Sequence, residues 1–193
     1  MTQVLARPIR DRSTWICYLQ GGFFAWFIYA FGATQALLRD EQGTTRSIAA
    51  LHGTFLATGS LIGSLLAGKA LLKWGRGIVM RVGGIGAIIG ILIYTTPNGS
   101  FPVTLAGAFV AALCGSFFTS GLNAFLMDHQ GEAGPSSLLE ANAVAAFMGL
   151  AGPLVVGVTT ATFFGWRAGV WVAVVALVIV EFARGRDLSG YCT

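Results

Sequence analysis

The sequence predicts an all-α membrane protein, folded as a bundle of six transmembrane helices. Of its 193 residues, 55% are hydrophobic and only 10% are charged, whereas about 25% of the residues in a soluble domain are charged. The mean hydropathy is +0.73. A helix needs about 20 apolar residues to cross the hydrocarbon core of a bilayer, and six segments of the chain come close to this length. Composition and segment length together exclude a water-soluble globular domain.

Polar or turn-forming stretches separate the six apolar segments. The segments run over residues 14–38, 48–72, 78–96, 102–127, 142–164 and 168–182. The first is longer than the apolar region of a signal peptide, which has about 7–15 residues. The last is short, so we expect local thinning of the bilayer or snorkelling of Arg184. We therefore divide the chain into a cytoplasmic segment at 1–13, a transmembrane bundle at 14–183 and a cytoplasmic tail at 184–193.

The basic residues are distributed unevenly between the ends of the segments. If the N-terminus is cytoplasmic, the outer loops hold only Arg39, Arg46 and Arg167. The inner ends then hold the other nine, which are Arg7, Arg10, Arg12, Lys69, Lys73, Arg76, Arg81, Arg184 and Arg186. The positive-inside rule predicts an integral protein of the plasma (inner) membrane with both termini in the cytoplasm. The formal charge of +4 thus indicates orientation in a lipid bilayer, and we expect no nucleic-acid partner.

Small residues recur at a spacing of four on two of the segments. Gly59 and Gly63 form one such pair, and Gly86 and Gly90 form another. Pairs of this kind let two helices cross closely. We expect them to pack helices within the bundle, and contact between two chains is the alternative.

Ionisable residues are costly inside a membrane and are therefore candidates for function. His52 lies one to two turns inside the second segment. An imidazole has an unperturbed pKa of about 6.5, which suits proton transfer. His52 is therefore the proton-coupling candidate, with a hydrogen-bonded structural histidine as the alternative.

The sequence predicts no catalytic, metal or cofactor site, and the protein is not expected to be an enzyme. An intramembrane serine protease of the rhomboid type would need G-x-S-G on the fourth segment and a histidine on the sixth to activate the serine. The fourth segment instead reads F-T-S-G at 118–121, and the sixth has no histidine. The spacing of Asp128, His129 and Glu132 fits no standard metal site, so these residues are expected in a solvated loop.

The loop after the second segment carries a motif. Gly68, Lys73, Gly75 and Arg76 are spaced as in the signature between the second and third helices of the major facilitator superfamily, which this loop resembles. In that family the loop helps to lock one conformation through charge contacts. Leu72 stands where the family has an aspartate.

The fifth segment carries a second resemblance. Gly152-Pro153, followed by Gly157, is similar to the glycine–proline motif that the family has on its fifth helix, often in antiporters. Met148 and Val156 replace glycines of the full pattern.

The resemblance covers about residues 15–184 and implies a fold and a function. It implies one half of a major facilitator fold, acting as the N-terminal half of a secondary transporter that moves a small solute by alternating access, with proton coupling as one option. Because such transporters consist of two six-helix halves, the expected partner is a second six-helix half, or a second copy in a homodimer. The alternative is a non-transporting membrane subunit, or a truncated half-transporter, that assembles with a partner. A fragment, a separately encoded half and a truncated product all remain open.

The resemblance also implies where a substrate would bind, because the first and fourth helices line the central cavity in this family. Polar side chains there would hydrogen-bond the substrate, and aromatic rings would form an apolar wall. The alternative is that the polar residues join helices to one another. The candidates are Gln20, Phe24, Phe27, Phe31, Gln35, Ser116, Thr119, Ser120 and Asn123.

Overall fold

The structure, a computed structural model, describes residues 6–185, and the regular elements within this range are all helical. The helices are α1 (Arg12–Gln42), α2 (Arg46–Ala49), α3 (Leu51–Trp74), α4 (Arg76–Tyr94), α5 (Phe101–Gln130), α6 (Gly134–Thr160) and α7 (Gly165–Arg184). The predicted all-α class is confirmed. Arg186 and the rest of the predicted tail beyond residue 185 lie outside the described residues, as do residues 1–5 of the predicted N-terminal segment.

Five helical stretches within residues 6–185 are long and apolar enough to cross a membrane. The longest, Phe101–Thr160, contains both α5 and α6. A 3₁₀ turn at Gly131–Ala133 separates these two helices, and Gly131 has a φ of +53° that favours glycine. Residues of α5 and α6 then line one common cleft. The described residues therefore form helices suited to a membrane, while the count of six crossings stays a prediction.

Two predicted segment boundaries are wrong, each for a local reason. The expected loop around Asp128 and His129 is helical, because α5 continues to Gln130 and ends only where Gly131 takes a positive φ. The sixth segment is not short, because α7 has 20 residues. At about 1.5 Å per residue, α7 is about 30 Å long, which matches the hydrocarbon thickness.

Glycines bring α3 and α4 close to the backbone of α5. A Cβ placed on Gly59 would lie 2.4 Å from the carbonyl oxygen of Phe109, and one on Gly90 would lie 2.3 Å from the amide nitrogen of Ala111. Lipid tails are as apolar as leucine, so close packing and hydrogen bonds, rather than removal from water, hold such helices together. Both glycine pairs predicted from the sequence act within the chain, as expected.

The charged residues gather at the two ends of the bundle. At one end Arg10 contacts Glu140, Arg76 contacts Asp128 and Arg81 contacts Glu181. At the opposite end the guanidinium of Arg167 contacts the carboxylate of Glu41 at 2.6 Å. The residues that the sequence places on one side of the membrane thus meet at one end of the fold.

Candidate functional site

A cleft of about 230 Å³ lies between α1, α5 and α6. It brings together three of the predicted cavity residues, Phe24, Thr119 and Asn123. Two further lining residues, Tyr29 and Asn142, were not among the sequence candidates. The sequence did contain a signal for Asn142 as a lining residue, because it is a polar residue at the start of the predicted fifth segment.

The polar groups of the cleft are amides and hydroxyls. Asn123 and Asn142 are exposed, and the exposed fraction of Tyr29 is 56%. The hydroxyl of Thr119 donates to the carbonyl of Gly115 at 3.0 Å, which leaves its lone pairs as acceptors. The cleft can therefore donate and accept hydrogen bonds beside the aromatic face of Phe24.

The other predicted aromatic residues lie in the core of the chain. Phe27 is fully buried and Phe31 is 5% exposed. Both rings pack on Tyr94, with centroids 6.1 Å and 5.0 Å away. Their assignment to a substrate cavity stays a prediction.

The two predicted serines lie outside the cleft. The hydroxyl of Ser116 lies 3.1 Å from the carbonyl oxygen of Ser60 on α3 and 3.0 Å from that of Ala112. This contact joins α3 to α5, which is the helix-bridging alternative for this residue. Ser120 is half-buried on the next turn of α5.

The two predicted glutamines lie far from each other. Gln35 is half-buried beside Gly53 of α3. Gln20 is 2% exposed, and its side-chain amide donates to a carboxylate oxygen of Glu181 at 2.9 Å. The guanidinium of Arg184 donates to the amide oxygen of Gln20. A substrate-binding role for either glutamine stays a prediction.

Gln20 is part of an ionic cluster that the sequence did not predict. The carboxylate of Glu181 accepts from Nε of Arg81 at 3.1 Å and lies 3.3 Å from Nη1 of Arg184. The cluster joins α1, α4 and α7. Its members are separated by up to 164 residues along the chain, so only the tertiary fold shows that they meet. The sequence shows only that all three ionisable residues lie at the ends of apolar segments.

His52 is buried and hydrogen-bonded at both ring nitrogens. Its Nδ1 lies 3.1 Å from the carbonyl oxygen of Ala49, and its Nε2 lies 2.9 Å from the hydroxyl of Thr104. A neutral imidazole has one donor and one acceptor nitrogen, so donation to Ala49 and acceptance from Thr104 satisfy it. The ring also contacts Phe101 edge-on, with centroids 5.0 Å apart. This geometry suits the structural alternative, and proton coupling stays a prediction.

The motif residues after α3 form a sharp turn. Gly75 has a φ of +78°, which favours glycine, and it lets α4 start directly after α3. Arg76 pairs at 2.5 Å with the carboxylate of Asp128 on α5. Nζ of Lys73 lies over the ring of Trp74, 5.7 Å from its centroid, and Gly68 faces open space. This loop has Leu72 at the position of the family's aspartate, and its Arg76 pairs with the carboxylate of Asp128 on α5 instead.

The fifth-segment motif lies in the middle of α6. A Cβ on Gly152 would lie 2.7 Å from the carbonyl oxygen of Trp26, so this glycine allows α6 to touch α1. Pro153 lies inside the helix. No atom of the described residues lies within 4 Å of a Cβ placed on Gly157.

Among the described residues no three His, Cys, Asp or Glu side chains are grouped together. His129 instead contacts a carboxylate oxygen of Asp11 at 2.7 Å.

The chain was also compared with known proteins. A family model described as Major Facilitator Superfamily matches residues 16–183. No match was found among curated proteins. The matched range runs from the second turn of α1 to the last turn of α7 and includes the cleft, both motifs and the ionic cluster except for Arg184. The chain therefore belongs to the major facilitator superfamily, whose members are membrane transporters and not enzymes.

Proposed function

We propose that the chain is the N-terminal half of a secondary transporter that moves a small solute by alternating access. In this proposal α1 and α3 to α7 cross the membrane six times, and both termini lie on the cytoplasmic side of the plasma (inner) membrane. The observation that carries the proposal is the cleft between α1, α5 and α6, because its polar groups lie on membrane-embedded helices.

The lining favours a solute that is recognised through hydrogen bonds and stacking. Asn123 and Asn142 supply amide donors and acceptors, and Phe24 and Tyr29 supply aromatic faces. No carboxylate, ammonium or guanidinium group of the described residues lines this cleft. Such a site gives a charged solute no counter-ion on this side.

A partner would complete the site. The apolar span of α3 is only 22% buried, compared with 56% for α1. Exposed leucines such as Leu61 and Leu65 on α3, and Leu150 and Leu154 on α6, leave apolar surfaces that a second six-helix half or a second copy could cover. A non-transporting subunit would use the same surfaces, so solute flux distinguishes the two functions.

Accessibility of Asn123 tests the proposal. In a background in which Cys17, Cys114 and Cys192 are replaced by serine, Asn123→Cys should react with a membrane-impermeant maleimide, because a cleft thiol meets water. The matched control is Ile89→Cys, which lies on the outer face of α4 and should react slowly in membranes. Equal reaction rates at the two positions, measured from both sides of the membrane, would contradict a water-filled cleft.

Proton coupling through His52 has its own test. His52→Gln can keep one donor and one acceptor but cannot carry a proton near neutral pH. The uptake of the transported solute should then lose its pH dependence. An unchanged pH profile in this variant would exclude His52 as the coupling residue while leaving alternating access intact.

A further inference from the structure

The ring of Phe24 lies against a glycine of the neighbouring helix. Phe24 belongs to α1 and is 8% exposed, and Gly115 is buried in α5. A Cβ placed on Gly115 would overlap the tip of this ring, since Cε1 of Phe24 would be only 2.8 Å from it and Cζ would be nearer still. Alanine is the better helix former, so what this glycine provides is space. Gly115 therefore leaves the room on α5 that the Phe24 ring occupies.

Other aromatic side chains enclose the Phe24 ring on further sides. Its centroid lies 6.1 Å from that of Phe118 on α5 and 6.4 Å from that of Phe27 on α1. Phe118 is 1% exposed and Phe27 is fully buried. Since packed interiors have few voids, the Phe24 ring cannot move toward either of these side chains.

Phe24 also lines two cavities of very different size. One is the cleft of about 230 Å³ between α1, α5 and α6, and the other is a cavity of about 10 Å³ that also borders Gln20 and Glu181. A single water molecule requires a space of about 10–15 Å³, so the smaller cavity cannot take a phenyl ring. A ring displaced from Gly115 therefore moves into the cleft.

The second aromatic residue of the cleft is less constrained. The ring of Tyr29 also faces a glycine, because a Cβ on Gly149 of α6 would lie 2.8 Å from its Cδ2. Tyr29 is 56% exposed, however, so its ring can turn away from the cleft into the surroundings. The position of Phe24, and not that of Tyr29, is therefore fixed by its neighbours.

We propose that Gly115 determines the largest solute that the cleft can admit. By leaving room for the Phe24 ring beside α5, it keeps this ring out of the cleft and sets the depth of the cleft. The carbonyl of Gly115 also accepts from the hydroxyl of Thr119, which lines the cleft one turn further along α5. The inference rests on the proposed function, in which this cleft receives the solute, and it assigns a size limit to that solute.

The test measures the size of reagent that reaches the cleft of the full chain in membranes. In the cysteine-free background described above, Asn123→Cys is treated with two uncharged methanethiosulfonates, one carrying a methyl group and the other a benzophenone group. Both should react when Gly115 is present. Gly115→Ala should lose the reaction with the larger reagent and keep that with the smaller one. Gly32→Ala on α1 is the control and should keep both, because no atom of the described residues lies within 4 Å of its Cβ position.

A double variant separates the effect of the ring from that of the helix. In Gly115→Ala/Phe24→Leu the shorter side chain leaves room for the added methyl group, so the reaction with the larger reagent should return. If Gly115→Ala does not fold, Phe24→Trp makes the same test, because a larger ring does not fit beside Gly115 and has to project into the cleft.

Two results would overturn this inference and leave the proposed function intact. The first is an unchanged reaction with the larger reagent in Gly115→Ala, or in Phe24→Trp where that variant replaces it. The second is a loss that persists in the double variant, which would mean that α5 shifts instead of the ring. If Asn123→Cys reacts with neither reagent while Gly115 is present, the cleft holds no water, and the proposed function fails together with this inference.

Discussion

At the scale of single residues, His52 and Asp11 illustrate what polar groups need in and beside a membrane. His52 is 2% exposed, and both of its ring nitrogens are hydrogen-bonded within the chain. Asp11 begins α1, where its carboxylate accepts from the backbone N–H of Thr14 at 2.8 Å. A single substitution at either position removes that residue's contacts without changing those of the other.

We expect His52→Ala to destabilise the protein by about 1–3 kcal/mol, because it removes the buried hydrogen bonds of the ring to the carbonyl of Ala49 and to the hydroxyl of Thr104. His52→Gln should cost less, since its amide can reach similar partners. Thr58→Ala on the same helix is the control, because the Thr58 hydroxyl donates to the carbonyl of Thr54 at an exposed position. Thermal unfolding in detergent measures the difference. Equal effects of His52→Ala and Thr58→Ala would show that the His52 contacts contribute nothing.

Asp11 should make stability depend on pH in the acid range. Burial opposes ionisation of Asp11, but hydrogen bonds from Thr14 and His129 outweigh it and lower the pKa of the carboxyl. A group with a lowered folded pKa stabilises the protein above its unfolded pKa of about 3.9 and loses this contribution as the pH falls through the folded pKa. Asp11→Ala should therefore cost about 0.5–2 kcal/mol at pH 7 and much less near pH 3.

Asp11→Asn serves as the control for the charge, because asparagine is also a good N-cap. It should retain most of the stability at pH 7 and remove the acid dependence. A pH profile of Asp11→Ala parallel to that of the wild type would refute this role.

At the scale of helices, close contacts at glycines and shared ionic groups hold the bundle together. Gly59 and Gly63 place α3 on the backbone of α5, and a Cβ on Gly63 would lie 2.5 Å from the carbonyl oxygen of Leu113. The cluster around Glu181 joins α1, α4 and α7. Backbone atoms cannot move aside as a flexible side chain can, so the contacts at Gly59 and Gly63 leave no room for an added methyl group.

We expect Gly59→Ala to lower stability by about 1–3 kcal/mol, because the methyl group would force α3 away from α5. Gly68→Ala is the matched control on the same helix, since nothing lies within 4 Å of its Cβ position. Alanine is the better helix former, so the control should be neutral or slightly stabilising. The unfolding temperature and the yield of monodisperse protein report the effect. A Gly59→Ala variant as stable as Gly68→Ala would mean that the two helices are farther apart.

Loss of the Glu181 carboxylate should be among the costliest single changes in this chain. Glu181→Gln removes the carboxylate that lies 3.3 Å from Nη1 of Arg184, whose side chain is 1% exposed, and removing one partner of a buried ion pair costs about 3–5 kcal/mol. Arg10→Gln breaks the pair between Arg10 and Glu140, whose side chains are 62% and 30% exposed, and should have a much smaller effect because solvent screens exposed ion pairs. Denaturant or thermal unfolding compares the two. Similar costs would indicate that the Glu181 cluster is open to water.

At the scale of the whole molecule, the two ends of the bundle differ in charge and so define an orientation. One end carries the pairs of Arg10, Arg76 and Arg81, and the other carries Arg167 with Glu41. The turn at 95–100 precedes α5 and the turn at 131–133 follows it, so the two turns lie at opposite ends of this helix. If α5 crosses the membrane once, these turns lie on opposite sides.

Two single cysteines in the cysteine-free background test this arrangement. Asn98→Cys should react with an impermeant maleimide in intact cells, because the turn after α4 is outside in the proposed orientation. Glu132→Cys should react only in inside-out vesicles or permeabilised cells. Labelling of both positions from the same side would contradict a single crossing by α5, and a reversal of the two patterns would invert the proposed topology.

Sequence alone predicted the features that depend on solvent and on local spacing. Long apolar runs require helices in a membrane because unpaired backbone groups cannot be buried in hydrocarbon, and glycine spacing predicted close crossings. The loop around Gly75 and the motif at Gly152 predicted the family. Errors occurred at helix ends, where the positive φ of Gly131, rather than the polarity of the preceding residues, decided where α5 stopped.

Only the tertiary structure decided which polar residues share a site. The sequence grouped Gln20, Phe24 and Phe27 as candidates for one cavity, yet Gln20 binds the cluster at Glu181, Phe27 lies in the core and Phe24 borders the cleft with Asn142. Periodicity assigns a residue to a face of its helix. What that face meets depends on partners far away in the sequence, such as Glu181, which is 161 residues from Gln20, and their positions are determined by how the helices pack.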